Sequence, residues 1–229
     1  MTLESTLSCD EYNSVLMEES EKDKIEKLKS EIYEYTPEAE KYKSCMLEIV
    51  SRALLIQELG NKQSSMSQNR MLEFLSLQLR MIIEYLILGC LVANSRHYKK
   101  GIEQLGKEWR PKQIKKFLEN VNPKYYPNPI ELEIIGHQQV NIINIKSGFI
   151  TIDELINAYN ICCDYLHANN PFASPKDYNV LISYFRTWLH GINGLLKQHI
   201  IELGSGRKMF AVQVIFEKDQ DVHFIFLNG

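Results

Sequence analysis

Several signatures that would name a chemistry are missing from this chain. It has no G-x-x-x-x-G-K-[ST], no G-x-G-x-x-G, no H-E-x-x-H, no G-x-S-x-G and no EF-hand loop. The common nucleotide-dependent and zinc-hydrolase mechanisms therefore lack their defining residues. No pair of acid-x-x-His motifs offers a carboxylate metal site, so neither a metal nor a cofactor is expected. The five cysteines, Cys9, Cys45, Cys90, Cys162 and Cys163, are odd in number and lack C-x-x-C spacing. A disulfide framework or zinc knuckle needs paired thiols, so these are expected to be buried thiols of a reducing compartment. Charge of one sign is not in excess either: 26 Lys and Arg stand against 29 Asp and Glu, a net −3. No global field draws the chain to nucleic acid or to an anionic membrane. The opening stretch MTLESTLSCDEYNSVLMEESEKDK is acidic and has no basic segment followed by an apolar run. It carries no secretory signature, and the cytoplasm is the expected location.

What is present is ordinary globular composition, 45% hydrophobic and 24% charged over 229 residues, enough for one domain with a substantial core. The most apolar stretch is FLSLQLRMIIEYLILGCLVA, residues 74–93, which has the length of a bilayer span. Arg80 and Glu84 sit at its centre, and each charge costs roughly 2.5–3.5 kcal/mol to insert. A buried core helix is therefore expected instead of a membrane span.

Periodicity then organises the chain. Residues 1–35 read as a loose lead-in followed by a charged amphipathic helix carrying Ile25, Leu28 and Ile32. Thr36 and Pro37 supply an N-cap and an N1 proline for a helix running to Gly60, and a polar loop leads into the central helix, about Gln68 to Ser95. Arg110 and Pro111 open a short helix, and three prolines in NPKYYPNPI force an extended connection. The isoleucine-rich stretch 130–150 favours a small β-hairpin. Thr151 and Glu154 form a T-x-x-E capping box for a helix reaching about His167, and Ser174 with Pro175 begins a long helix through Leu203. Two β-rich runs around EKDQD make a second hairpin. The predicted fold is thus mainly α, a helical bundle with one or two small β-hairpins. Its parts are residues 1–35, a core over 36–204 with the hairpin insertion near 130–150, and a C-terminal hairpin over 205–229.

Four constellations are candidates for chemistry. Arg80 and Glu84, four apart on one helix, are in the weaker order for an i,i+4 pair, so partners on another helix are expected, with Arg186 or His190 the candidate for Glu84. They are either an internal ion pair or a phosphate- or carboxylate-binding site. Arg186 and His190 lie one turn apart on the long helix. A histidine can move protons near neutral pH while a guanidinium stabilises a developing anion, a combination suited to metal-independent RNA cleavage through the 2′-hydroxyl. The alternative is a helical Arg beside a partly buried His. His167 stands where a helix C-terminus favours a cation. Tyr125 and Tyr126, downstream of Lys112, Lys115 and Lys116 and beside Lys124, either stack on bases or anchor a loop. The terminal run VHFIFLNG is apolar enough to be an edge strand that needs covering, which points to a homo-oligomer or a protein partner.

At LQLRMIIEYLILGCL, NPKYYPNPI, DYLHANNPF and FRTWLH, over about residues 70–200, the chain resembles bacterial helical proteins of the HEPN superfamily. That resemblance implies an often dimeric helical bundle that handles RNA, in many members as a ribonuclease of toxin–antitoxin, phage-defence or CRISPR systems and in others as a binding module. The active motif is an Arg, usually followed by a polar residue, with four to six residues before a His; here Thr187 follows Arg186 and only three residues precede His190. By resemblance Arg186 would stabilise the transition state and His190 would act as acid or base. The expected function is RNA handling, possible metal-independent endoribonuclease activity included; the alternative is a non-enzymatic interaction or regulatory subunit.

Overall fold

The structure is a computed structural model that describes residues 36–59, 66–96, 98, 103, 110–136, 139–168, 171–172, 174, 176–203, 208–217 and 220–228. Residues 38–229 form one compact unit and 1–37 another. The amphipathic helix predicted within 1–35, the Gly60 cap and the thiol of Cys9 lie outside the described residues.

Five helices are described: α1 over 36–59, α2 Gln68–Asn94, α3 Pro111–Val121, α4 Ile152–Leu166 and α5 Tyr178–Leu196. Local signals account for their ends. Pro111 occupies the first turn of α3, where no N–H is missed. Thr151 accepts from the Glu154 N–H while Glu154 reaches back to the Thr151 N–H, so two of the donors left over at the start of α4 are satisfied reciprocally. The last helix departs from expectation at both ends. Asp177, not Ser174, caps it, accepting from the N–H groups of Asn179 and Val180. It stops at Leu196, where the chain turns directly into a strand.

That strand corrects the predicted fold class. β1 Asn128–Gly136 and β2 Gln139–Asn144 form one antiparallel hairpin, and β4 Lys208–Ile215 and β5 Asp221–Asn228 form another. β3 Gln198–Glu202 pairs with β1 on one side and β4 on the other, giving one five-stranded antiparallel sheet in the order β2-β1-β3-β4-β5. The fold is therefore mixed α/β: helix predominates, but the hairpins are halves of one sheet. The segment QHIIE alternates between half-buried and buried positions, the period of a strand. It directly continues the apolar pattern of α5, and periodicity alone does not separate so short a run from a last helical turn.

α2 is the spine. Leu79, Ile82, Ile83, Leu86, Ile87 and Cys90 are buried, and each large apolar side chain so placed contributes roughly 1.5–3 kcal/mol relative to exposure. The helices α4 and α3 pack on α2, with Leu155, Ala158 and Cys162 of α4 and Ile114 and Leu118 of α3 buried, and α1 brings buried Tyr42 and Met46 against Gly89 of α2. By length and composition α2 is apolar enough to cross a membrane, and 56% of its most apolar window is buried inside the protein. At its far end Asn94 and Asn122 are both buried: Asn94 donates to the Cys90 carbonyl, and Asn122 donates to the Asn94 side-chain oxygen at 2.8 Å, tying α2 to the end of α3.

Two glycines set how close α5 lies to the chain before α4. A Cβ at Gly194 would fall 2.1 Å from the carbonyl oxygen of Gly148, and one at Gly191 would meet Ile150 at 3.0 Å. The Ile150 N–H donates to the Gly191 carbonyl at 3.0 Å. Gly148 itself turns the chain there with φ of 88°, a conformation open to glycine at little cost.

Candidate functional site

The structure scatters the predicted site residues over four places, and only Arg80 with Glu84, Tyr125 with Tyr126, and Arg186 with His190 stay together. Arg80 and Glu84 meet each other through Nε and Oε1 at 3.0 Å. The partner on a second helix is Tyr159 of α4: its hydroxyl donates to Glu84 Oε1 at 3.1 Å, and the Arg80 guanidinium lies 5.4 Å from the centre of its ring. Neither Arg186 nor His190 fills the role expected beside Glu84. Arg80 and Glu84 each sit two residues, about 200° of helix, away from Ile82, which faces α5. Burial works against the Arg80 charge, yet the hydrogen bond to Glu84 and the neighbouring Tyr159, Cys163 and Glu84 leave its pKa raised. Burial, aided by the neighbouring Cys163 and Glu84 and partly opposed by the Arg80 guanidinium, pushes the Tyr159 phenol up to about 12, so it remains a donor. The notch is a half-exposed ion pair stapled to a stacked tyrosine.

His167 ends α4 as its C-cap, leaving the helix at φ −72° and ψ 150° while its N–H still reaches the Cys163 carbonyl. Its own carbonyl accepts from the Lys176 ammonium, which also binds the Tyr165 carbonyl at 3.2 Å. A lysine thus meets the helix C-terminus at the position where the histidine charge was expected to act. The tyrosine pair is packed as a loop anchor: Tyr125 is 3% exposed, and Tyr126 donates to the Ile150 carbonyl at 3.0 Å. Their rings meet edge to face with centroids 6.3 Å apart. With Tyr125 buried, the two do not present a common platform for bases.

Arg186 and His190 lie elsewhere, at the rim of an open groove of about 900 Å³ lined mainly by α1, α2 and α5, with Met66 and Phe216 at its margin. On α5 the lining residues Ile182, Phe185, Arg186, Leu189, His190 and Asn193 fall at i, i+3, i+4, i+7, i+8 and i+11, one helical face. On α2 the corresponding stripe is Gln68, Met71, Leu72, Leu75 and Ile82, and α1 adds Ala53, Ile56, Gln57 and Leu59. Leu72, Ile82, Phe185 and Ile192 form a buried floor, while Met71, Leu75, Ile182 and Leu189 are half-buried walls. The polar groups are Gln57, Gln68, Asn193 and the two cationic or proton-carrying side chains. Arg186 and His190 are exposed and neither hydrogen-bonded nor ion-paired to a described residue.

The groove was not named from the sequence, although a signal for it exists. α2 is apolar around nearly its whole circumference, more than packing on one neighbour requires. α4, α3, β3 and the start of α1 pack against parts of that surface, and another part forms a wall of the groove. Arg80, Glu84, His167, Tyr125 and Tyr126 do not line it. Among the described residues no group of three His, Cys, Asp or Glu side chains is placed to hold a metal ion. In comparisons with known proteins, no family model, no curated protein and no solved structure matches this chain.

Proposed function

We propose that this protein is a non-enzymatic regulatory module of the cytoplasm that works by binding an apolar ligand in the α1–α2–α5 groove. One observation carries this: a groove of about 900 Å³ walled by aliphatic and aromatic side chains, with a few polar groups at its edge. Small-molecule sites have this make-up, typically about 300–1,000 Å³, mostly apolar and with few orienting polar groups. A neutral apolar fluorophore, N-phenyl-1-naphthylamine, tests it. Saturable enhancement at one site per chain is expected, with loss in Leu75→Glu, which puts a carboxylate on a half-buried wall. Absence of saturation, or equal binding by the variant, would rule the groove out.

A second reading is favoured by the placement of Arg186 and His190, one turn apart and without partners among the described residues. In it the helices around α2 are a HEPN-like core, the pair cleaves RNA without metal, and the biological setting is defence or stress. Its support ends at that pair, because the surrounding wall is apolar where an RNA site needs basic groups. RNA degradation in EDTA that disappears in His190→Ala, with helical content unchanged, would establish it; no degradation would remove it. Either reading accommodates a second copy or another protein along β5, an edge strand of the sheet with Ile225 exposed.

A further inference from the structure

We infer that the ligand of the groove is an anionic amphiphile, an elongated apolar body ending in a carboxylate or a like anion, bound through Arg186 and His190. The inference rests on the binding function proposed above and adds the chemical class.

Three features point to it. The first is shape. The α2 stripe from Gln68 to Ile82 runs about 21 Å and the α5 stripe from Ile182 to Asn193 about 16 Å at 1.5 Å per residue. An elongated apolar body matches such a trough better than a compact one. The second is the distribution of polarity. Among the described residues the side chains of the floor and walls are apolar and offer no partner for a buried polar atom, so the inserted part of the ligand must be apolar. The described polar side chains lie at the exposed rim, where a head group can keep part of its hydration.

The third is charge. Arg186 is the one permanently charged side chain among the described residues that line the groove, and its guanidinium presents several N–H donors in a plane, the geometry that grips a carboxylate with two parallel hydrogen bonds. His190, a turn further along, carries at least one ring N–H whatever its ionisation. Among the described residues no acidic side chain lines the groove, and Arg186 makes no ion pair with any of them. An anion therefore meets a donor it does not have to win from a neighbour. The Arg80 guanidinium makes the contrast: Glu84 already holds its Nε.

Displacement of N-phenyl-1-naphthylamine from the full chain separates the possibilities, using dodecanoate and dodecan-1-ol below their aggregation concentrations. Dodecanoate should compete at least tenfold more strongly than the alcohol, equivalent to about 1.4 kcal/mol. Arg186→Gln should bring the two close to equal, with circular dichroism confirming the fold. Equal competition in the native protein, or a preference that survives Arg186→Gln, overturns the assignment. If the fluorophore binds and neither lipid displaces it, the ligand class is wrong while the groove still binds apolar molecules. If the fluorophore itself does not bind, the underlying function fails and this inference falls with it. A groove built for an acidic amphipathic helix would ignore both lipids, which counts against the inference as well.

Discussion

Replacing Tyr42 by phenylalanine should unsettle the centre of the molecule through a histidine that it never touches in sequence. His199 of β3 is fully buried. Its Nδ1 lies 3.0 Å from the Leu196 carbonyl and its Nε2 lies 2.7 Å from the Tyr42 hydroxyl. A carbonyl can only accept, so Nδ1 carries the proton and Nε2 accepts from the tyrosine. Burial pulls the His199 pKa down from 6.5 to about 4, with the Leu196 carbonyl partly opposing, so the ring is neutral in the native state. Removing the hydroxyl leaves a buried acceptor without a donor, which costs roughly 1–3 kcal/mol. The same geometry dictates a pH dependence. Above pH 6.5 both states hold a neutral ring and the contribution is fully present. Below that the unfolded chain binds a proton that the native ring refuses, so stability falls as pH drops toward about 4. At about 1.4 kcal/mol per unit, the loss across that window is on the order of 3 kcal/mol. Urea denaturation of the native chain and of Tyr42→Phe, from pH 7.5 to 4.5, measures both quantities. A change below 0.5 kcal/mol in Tyr42→Phe on the scale of ordinary surface substitutions, or an imidazole that titrates in the folded protein near pH 6.5 by NMR, would refute the pairing.

Three further outcomes follow from particular contacts. Gly194→Ala forces a methyl group into the Gly148 carbonyl and should cost roughly 1–3 kcal/mol or more in chemical denaturation; a neutral result would mean α5 does not approach that closely. Thr151→Ala removes one half of the α4 capping box and should destabilise by about 1 kcal/mol, with Thr151→Ser retaining most of it. Burial pushes the thiols up to about 11 at Cys45 and about 12 at Cys162, and also raises Cys90. Mass mapping of alkylation at pH 8 should therefore find half-exposed Cys163 modified well before buried Cys90 and Cys162 in the native protein, and all at similar rates in urea.

The contacts that define the candidate sites were legible in unequal measure. Arg80 and Glu84 announced a polar notch because two charges in so apolar a helix must be paired, and they are paired. Their third member, Tyr159, sits 75 residues away in a helix that carried no mark of facing α2. Arg186 and His190 were recognisable as a pair one turn apart; that they edge an apolar groove depended on where α1 and α2 came to lie.

The sequence by itself determined what local physics controls. The capping box at Thr151, the proline at the start of α3, the span of α2 and the two hairpins all arise from interactions a few residues long, which are present whatever the rest of the chain does. Only the tertiary structure decided the partners. An apolar stripe states that a face will be buried and is silent about what buries it. So the neighbour of Glu84, the joining of two hairpins by β3, and the face of α2 left as a groove wall were settled by packing across the whole chain. β3 shows why most clearly. Its five residues alternate as a strand should, but they become one only because β1 and β4 stand on either side to take its backbone hydrogen bonds.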